Sequence, residues 1–137
     1  MDGRLIVGTA AIVICALALG IAAAPASAKT PQVAVKLTDF KITPAVKSVK
    51  AGKVTFVVSN PASMVHEMVV IKTKLPAAKL PVKNGLASEK GIVGAARNIK
   101  SHKTKNLALK LKAGHYALIC NLPGHYVAGM RTDFTVR

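Results

Sequence analysis

Hydrophobic and polar residues alternate over several short stretches of the chain. From Gln32 to Phe40, the residues Val33, Val35 and Leu37 fall on one side. From Lys53 to Ser59, Val54, Phe56 and Val58 do the same. Leu107, Leu109 and Leu111 alternate with Ala108, Lys110 and Lys112. A period of two belongs to a strand with one face in a core. Met68 to Ile71 is continuously apolar, as expected of a strand covered on both faces. His115–Cys120 and Arg131–Val136 read as two more strands. Turn pairs punctuate the pattern: Ala51-Gly52, Asn60-Pro61, Asn84-Gly85, Ala113-Gly114 and Pro123-Gly124. The expectation is an all-β fold, a Greek-key β-sandwich or barrel of about seven strands.

Lys74 to Lys105 is less regular. It holds Pro76, Pro81, Gly85, Gly91, Gly94 and many lysines. It reads as a long connection with a short helix near Leu75–Leu80 and a weak edge strand near Ile99. Its lysines read as a solvated surface. No repeat of solenoid length is present.

The N-terminal pattern is of a different kind. Leu5 to Ala24 is an uncharged apolar run of 20 residues preceded by Arg4. Ala26 and Ala28 then match a small-x-small cleavage site. Residues 1–28 are therefore expected to be a secretory signal, and 29–137 the functional domain. An uncleaved membrane anchor is the competing reading, since about 20 apolar residues span a bilayer. Ile14 before Cys15 argues against lipid attachment at that cysteine.

Composition narrows the field once the leader is set aside. The chain has 137 residues, a formal net charge of +15 and two cysteines. Loss of residues 1–28 removes Asp2 and Arg4 together, so the charge stays at +15. It also removes Cys15 and leaves Cys120 alone. A single thiol outside the cytoplasm cannot close an intramolecular disulfide and is exposed to oxidation. A buried inert residue, an intermolecular bridge and a metal thiolate are the three explanations. The apolar content of 51% excludes a disordered tail.

The candidate chemistry lies near the C-terminus. Residues 120–130 read Cys-Asn-Leu-Pro-Gly-His-Tyr-Val-Ala-Gly-Met. Cys120, His125 and Met130 share one loop, bent by Pro123 and Gly124. His66 opens the doubly buried run far upstream. Thiolate and thioether are soft donors, imidazole is borderline, and none is a hard oxygen. Two imidazoles and a thiolate with a weak axial methionine form the donor set of a blue copper site. Taken singly, each residue has a plainer reading: Cys120 and Met130 as core residues, His66 as a structural histidine, His125 as a polar turn residue. Their coincidence favours one copper ion cycling between Cu(I) and Cu(II). His102 and His115 read as exposed and uninvolved. Met64 is a candidate cover for the site.

This loop, flanked by Tyr116-Ala117-Leu118-Ile119 and Phe134-Thr135-Val136, resembles the cupredoxins. It is most similar to the small plastocyanin- and azurin-type blue copper proteins, with the loop spacing of auracyanin and rusticyanin. Val65-His66-Glu67 resembles their upstream copper-histidine segment. The resemblance covers most of residues 32–137. It implies His66, Cys120 and His125 as equatorial ligands and Met130 as the axial one. One departure stands out. Many cupredoxins carry Asn after the first histidine, and this chain has Glu67. A carboxylate there is expected to hydrogen-bond to backbone amides of the ligand loop or to Asn121, and to lower the potential of the metal. A solvent-facing Glu67 opposite a lysine is the alternative.

The functional expectation is a one-electron carrier, not an enzyme, working in the periplasm or after secretion. A copper-delivery or storage module with the same ligands is the alternative. Leu122, Pro123, Tyr126 and Val127 are expected to form an apolar docking patch around His125. The lysines would steer a redox protein partner, an acidic one, or an anionic membrane surface. Nucleic acid is disfavoured by export and by only 4% aromatic residues for stacking. The carrier is expected to be a monomer. Zinc could occupy the same donors. A cysteine hydrolase built on Cys120 and His125 lacks a supporting element, and four histidines do not supply a multinuclear copper oxidase.

Overall fold

A computed structural model describes Gly3 and residues 29–137. The expected signal at residues 1–28 lies otherwise outside the described residues. Among those described, no helix is long and apolar enough to cross a membrane.

Among the described residues, eleven strands follow one another: β1 Gln32–Thr38, β2 Lys41–Pro44, β3 Ser48–Val49, β4 Gly52–Asn60, β5 His66–Lys72, β6 Val82–Lys83, β7 Leu86–Ala87, β8 Ile92–Ile99, β9 Lys103–Leu111, β10 Gly114–Ile119 and β11 Arg131–Val136. Seven of them are six to nine residues long, which matches the expected number; the other four have two to four. One large sheet has the order β2-β1-β4-β9, the second β3-β11-β10-β5-β8, and β6 and β7 form a separate two-stranded pair. The two large sheets face each other as an open sandwich and do not close into a barrel.

The core between the sheets is built by alternation. Val33, Val35 and Leu37 of β1 and Val54, Phe56 and Val58 of β4 meet Met68, Val70, Tyr116, Leu118 and Phe134 of the opposite sheet. Phe56 and Phe134 pack edge to face with centroids 5.5 Å apart. Their burial and ring geometry add to the area term.

Met68–Ile71 is buried on both faces, as its uninterrupted apolar run implies. What covers the second face is the stretch read as a solvated connection. Ala77, Leu80 and Ala87 pack on Val69, Ile71, Ala117 and Ile119, with Tyr126 among them. The lysines of this stretch are exposed, while its small apolar residues form a second core. The expected helix is a single 3-10 turn, Ala77–Lys79. The weak edge strand near Ile99 is the full-length β8 at the edge of its sheet, with register irregularities at two places against β5. Those irregularities break the alternation that would have announced it.

Candidate metal centre

β5 and β10 are antiparallel neighbours, with Ile119 opposite Val69. The start of β5 and the end of β10 therefore lie at the same end of the sandwich. His66 has the inward parity of Met68 and Val70, and Cys120 that of Tyr116 and Leu118. Side chains 54 positions apart in sequence are thus aimed at one point. The loop between β10 and β11 brings the third. His125 N donates to Leu122 O, Met130 N to His125 O and Cys120 N to Met130 O, each at 3.0 Å. The loop closes on itself, and Met130 is bonded through its backbone to both neighbouring donor residues. Gly124 adopts φ +82°, a left-handed conformation that favours glycine after Pro123.

His66, Cys120 and His125 offer donor atoms that all lie within 4.8 Å of one another. His66 Nδ1 is 3.3 Å from His125 Nδ1, and Cys120 Sγ is 3.4 Å from the same atom. Metal–nitrogen bonds of about 2.0 Å and metal–sulfur bonds of about 2.3 Å place donors around one ion at about these separations. Met130 is fully buried in the same core cluster as Cys120. His66 and Cys120 are buried as well, and His125 is the one member of the set not fully enclosed. Two imidazoles, one thiol and one thioether in an apolar enclosure fit a soft or borderline ion and not a hard one.

The electrostatics agree. Burial pushes the Cys120 thiol up; the backbone amides of Leu122 and Glu67 pull it down, and the Glu67 carboxylate adds to the rise. Burial, then the neighbouring His66, pushes His125 below its ordinary value, against opposing pulls from Asp39 and Glu67. His125 is therefore held neutral and ready to bind a cation.

Glu67 is 3% exposed and does not face solvent opposite a lysine. Its partner is Arg97, whose Nη1 donates to Glu67 Oε1 at 2.9 Å. Asn121 does not bond Glu67. Its Nδ2 donates to Ala87 O at 3.0 Å and to Glu89 Oε1 at 2.9 Å, and its Oδ1 accepts from Ala87 N at 2.8 Å. Burial alone would raise the Glu89 carboxyl, but hydrogen bonds from Arg97 and Asn121 hold it below its ordinary value.

The expected docking patch needs one correction. Pro123 and Val127 are exposed and Leu122 is half-buried. Tyr126 is 2% exposed and belongs to the second core. Its hydroxyl donates to Ala77 O at 2.6 Å and accepts from Leu80 N at 3.1 Å. His115 is half-buried and bonded to Thr73 O and Asp133, away from the cluster, and His102 is exposed in a turn. Met64 is exposed, and its carbonyl accepts from the buried Asn60 side chain, which holds the segment leading into His66.

Four contributors carried no local signal. Asp39 and Phe40 lie in the turn between β1 and β2, which reaches over the site. Asp39 Oδ1 is 3.3 Å from His66 Nε2. Phe40 meets the His125 ring edge-on with centroids 5.5 Å apart. Arg97 and Glu89 come from β8 and the segment before it.

An open β-sandwich with two histidines, a cysteine and a buried methionine at one end defines a class of metal-binding sandwich. The chain belongs to the cupredoxins: the family model for the cupredoxin-like domain matches residues 10–132. With this donor set, that family identifies the ion as one copper. No curated protein sequence matches the chain. Solved structures similar to the chain include the following three. Auracyanin from Roseiflexus castenholzii is 18% identical with a TM-score of 0.62, over 79% of this chain and 98% of that one. Rusticyanin from Thiobacillus ferrooxidans is 21% identical with a TM-score of 0.64, over 81% and 79%. Auracyanin A from Chloroflexus aurantiacus, described as a "blue" copper protein, is 20% identical with a TM-score of 0.55, over 77% and 99%. At these identities the likeness is one of fold.

Proposed function

We propose that the protein is a one-electron carrier outside the cytoplasm, and that residues 1–28 are the leader that takes it there. His66, Cys120 and His125, with Met130, would hold one copper ion. A copper ion held there would supply one-electron redox chemistry. The observation that carries this reading is the convergence of the His66, Cys120 and His125 donor atoms, all within 4.8 Å of one another, with His66 Nδ1 and Cys120 Sγ 3.3 and 3.4 Å from His125 Nδ1.

The chain's own residues supply the rest. Cys120, His66 and Met130 are fully enclosed, His66 at the start of β5 and Cys120 and Met130 directly flanking the paired strands β10 and β11, so the donors need not move between the two charge states. His125 is the donor nearest solvent, and the apolar Phe40, Pro123 and Val127 are exposed around its loop. This small apolar surface suits brief docking. Among the described residues, the four carboxylates are taken by His66, Arg97 and His115, and no lysine lies within ion-pair distance of any of them. The lysine charge is thus left free to steer an acidic redox partner, an effect that acts on the association rate and falls with salt. The enclosure of the donors favours holding the ion over handing it on.

The test is spectroscopic. The full chain loaded with Cu(II) is expected to show an intense thiolate-to-copper band and the matching EPR signal, both lost in Cys120→Ser. A folded protein that binds Cu(II) without such a band refutes the reading. Transfer of copper to an acceptor protein faster than electron exchange would replace the carrier with a delivery module.

A further inference from the structure

Glu67 and Asn121 each follow a metal-binding residue, and nothing joins them directly. A chain of charged contacts joins them indirectly. Arg97 Nη1 meets Glu67 Oε1 at 2.9 Å, and Arg97 Nη2 meets Glu89 Oε2 at 2.6 Å. The other oxygen of Glu89 accepts from Asn121 Nδ2 at 2.9 Å. Asn121 is also paired twice with the Ala87 backbone. The path runs from the start of β5, across the edge strand β8, to the segment holding Ala87 and Glu89, and back to the loop after β10.

Each link suits a fixed spacing. The guanidinium is a rigid planar fork that bonds two carboxylates at once, which an ammonium on a flexible stem cannot do with the same geometry. The Glu67 side chain is 5% exposed, so its charge needs a partner at close range. The Arg97 side chain is 46% exposed and that of Glu89 29%, so both can be replaced without opening the core.

We propose that Arg97 and Glu89 are positioning residues of the metal centre: with Glu67 and Asn121 they tie the His66 segment to the Cys120 segment before metal enters, and Arg97 cancels the Glu67 charge beside the ion. This rests on the copper reading above for its second half only. The first half concerns the metal-free protein. Without the tie, the edge strand and the cysteine loop separate more easily, and Cys120 becomes reachable. Without Arg97, the buried Glu67 carboxylate stands uncompensated near the thiolate and favours the more positive charge state of the ion.

The metal-free full chain tests the first half through the reaction rate of Cys120 with a thiol reagent. Cys15, if retained, is replaced by Ser throughout. Arg97→Met and Glu89→Gln are expected to raise the rate roughly tenfold or more, the order implied by loss of a charged hydrogen bond. Arg97→Lys should raise it less. Asp133→Ala, which cuts the His115 and Ala77 contacts instead, is the control for general loosening. Unchanged rates in Arg97→Met and Glu89→Gln, or an equal rise in Asp133→Ala, overturn the proposal. The copper-loaded chain tests the second half: Arg97→Met lowers the reduction potential, and adding Glu67→Gln returns it toward the starting value. A potential that does not fall in Arg97→Met overturns that half. If the unmodified chain shows no blue copper spectrum, the copper reading fails while the thiol rates still decide the tie.

Discussion

Asp39 Oδ1 lies 3.3 Å from His66 Nε2, on the side of the ring away from His125. The carboxylate accepts the Nε2 proton and so leaves Nδ1 bare toward the donor cluster. A ligand histidine whose other nitrogen is held in this way keeps its tautomer and its ring plane, and such partners are typically worth about 10–100-fold in metal affinity. Asp39→Ala should therefore weaken copper binding by about that factor, read by competition with a chelator. Asp39→Asn should lose less, because its amide oxygen still accepts. Equal affinity in Asp39→Ala would show that the β1–β2 turn merely lies nearby.

Cys120 makes metal uptake a proton-coupled event. Burial holds the metal-free thiol above its ordinary value, so it is protonated at neutral pH. His125, with its value lowered, is already neutral there. Binding then requires one proton to leave, from the thiol and not from the imidazole. Calorimetry in buffers of different ionisation enthalpy should show about one proton released per ion at neutral pH. Affinity should rise with pH until the thiol itself ionises. Uptake with no proton release would contradict the buried thiol as a ligand.

Much of this centre was legible before the fold was known, and the reason is periodicity. β1, β4 and β9 each show one face to a core, and in β10, buried on both faces, Cys120 shares the parity of Leu118. The C-x4-H-x4-M loop is a local motif, so its members needed no fold to be found. The edge strand near Ile99 is legible but the full length of β8 is not, because register irregularities against β5 and Gly94, Arg97 and Asn98 interrupt its alternation. β2 and β3, at four and two residues, are too short to show a period. Asp39, Phe40, Arg97 and Glu89 escaped notice because their partners are 8 to 85 positions away and are chosen by tertiary contact. Tyr126 was misplaced for a related reason. It sits in a loop between His125 and the exposed Val127, where no strand parity tells inside from outside.

That misplacement can be tested. Tyr126→Phe keeps the ring and removes the hydroxyl that serves Ala77 O and Leu80 N. Leu80 is buried, so its amide would be left without a partner. A buried group stranded in this way costs about 1–3 kcal/mol. The metal-free protein should lose about that much stability in chemical denaturation, while the copper spectrum stays in place. A surface tyrosine in a docking patch would behave the opposite way, with unchanged stability and a slower reaction with the redox partner.

Gly91 and Gly124 share nearly the same backbone, φ +87° and +82°, but not the same surroundings. A Cβ on Gly124 would meet nothing within 4 Å, whereas one on Gly91 would lie 2.3 Å from the carbonyl oxygen of Lys72. That oxygen belongs to the end of β5, and Gly91 O in turn accepts from Lys72 N at 2.8 Å. The contact cannot be relieved by a side-chain rotation. Gly124→Ala should cost only the left-handed backbone term of about 1–2 kcal/mol. Gly91→Ala should cost that plus about 1–3 kcal/mol of overpacking. For a domain of this size the second term alone lowers the melting temperature by roughly 5–20 °C. The segment displaced also carries Glu89, so Gly91→Ala should speed the thiol reaction of Cys120 as the Glu89→Gln variant does. Thermal unfolding of the two metal-free variants side by side isolates the clash, because the backbone cost is common to both. Equal melting temperatures would mean that the 88–91 segment moves away from β5 freely and cannot anchor the tie to Asn121.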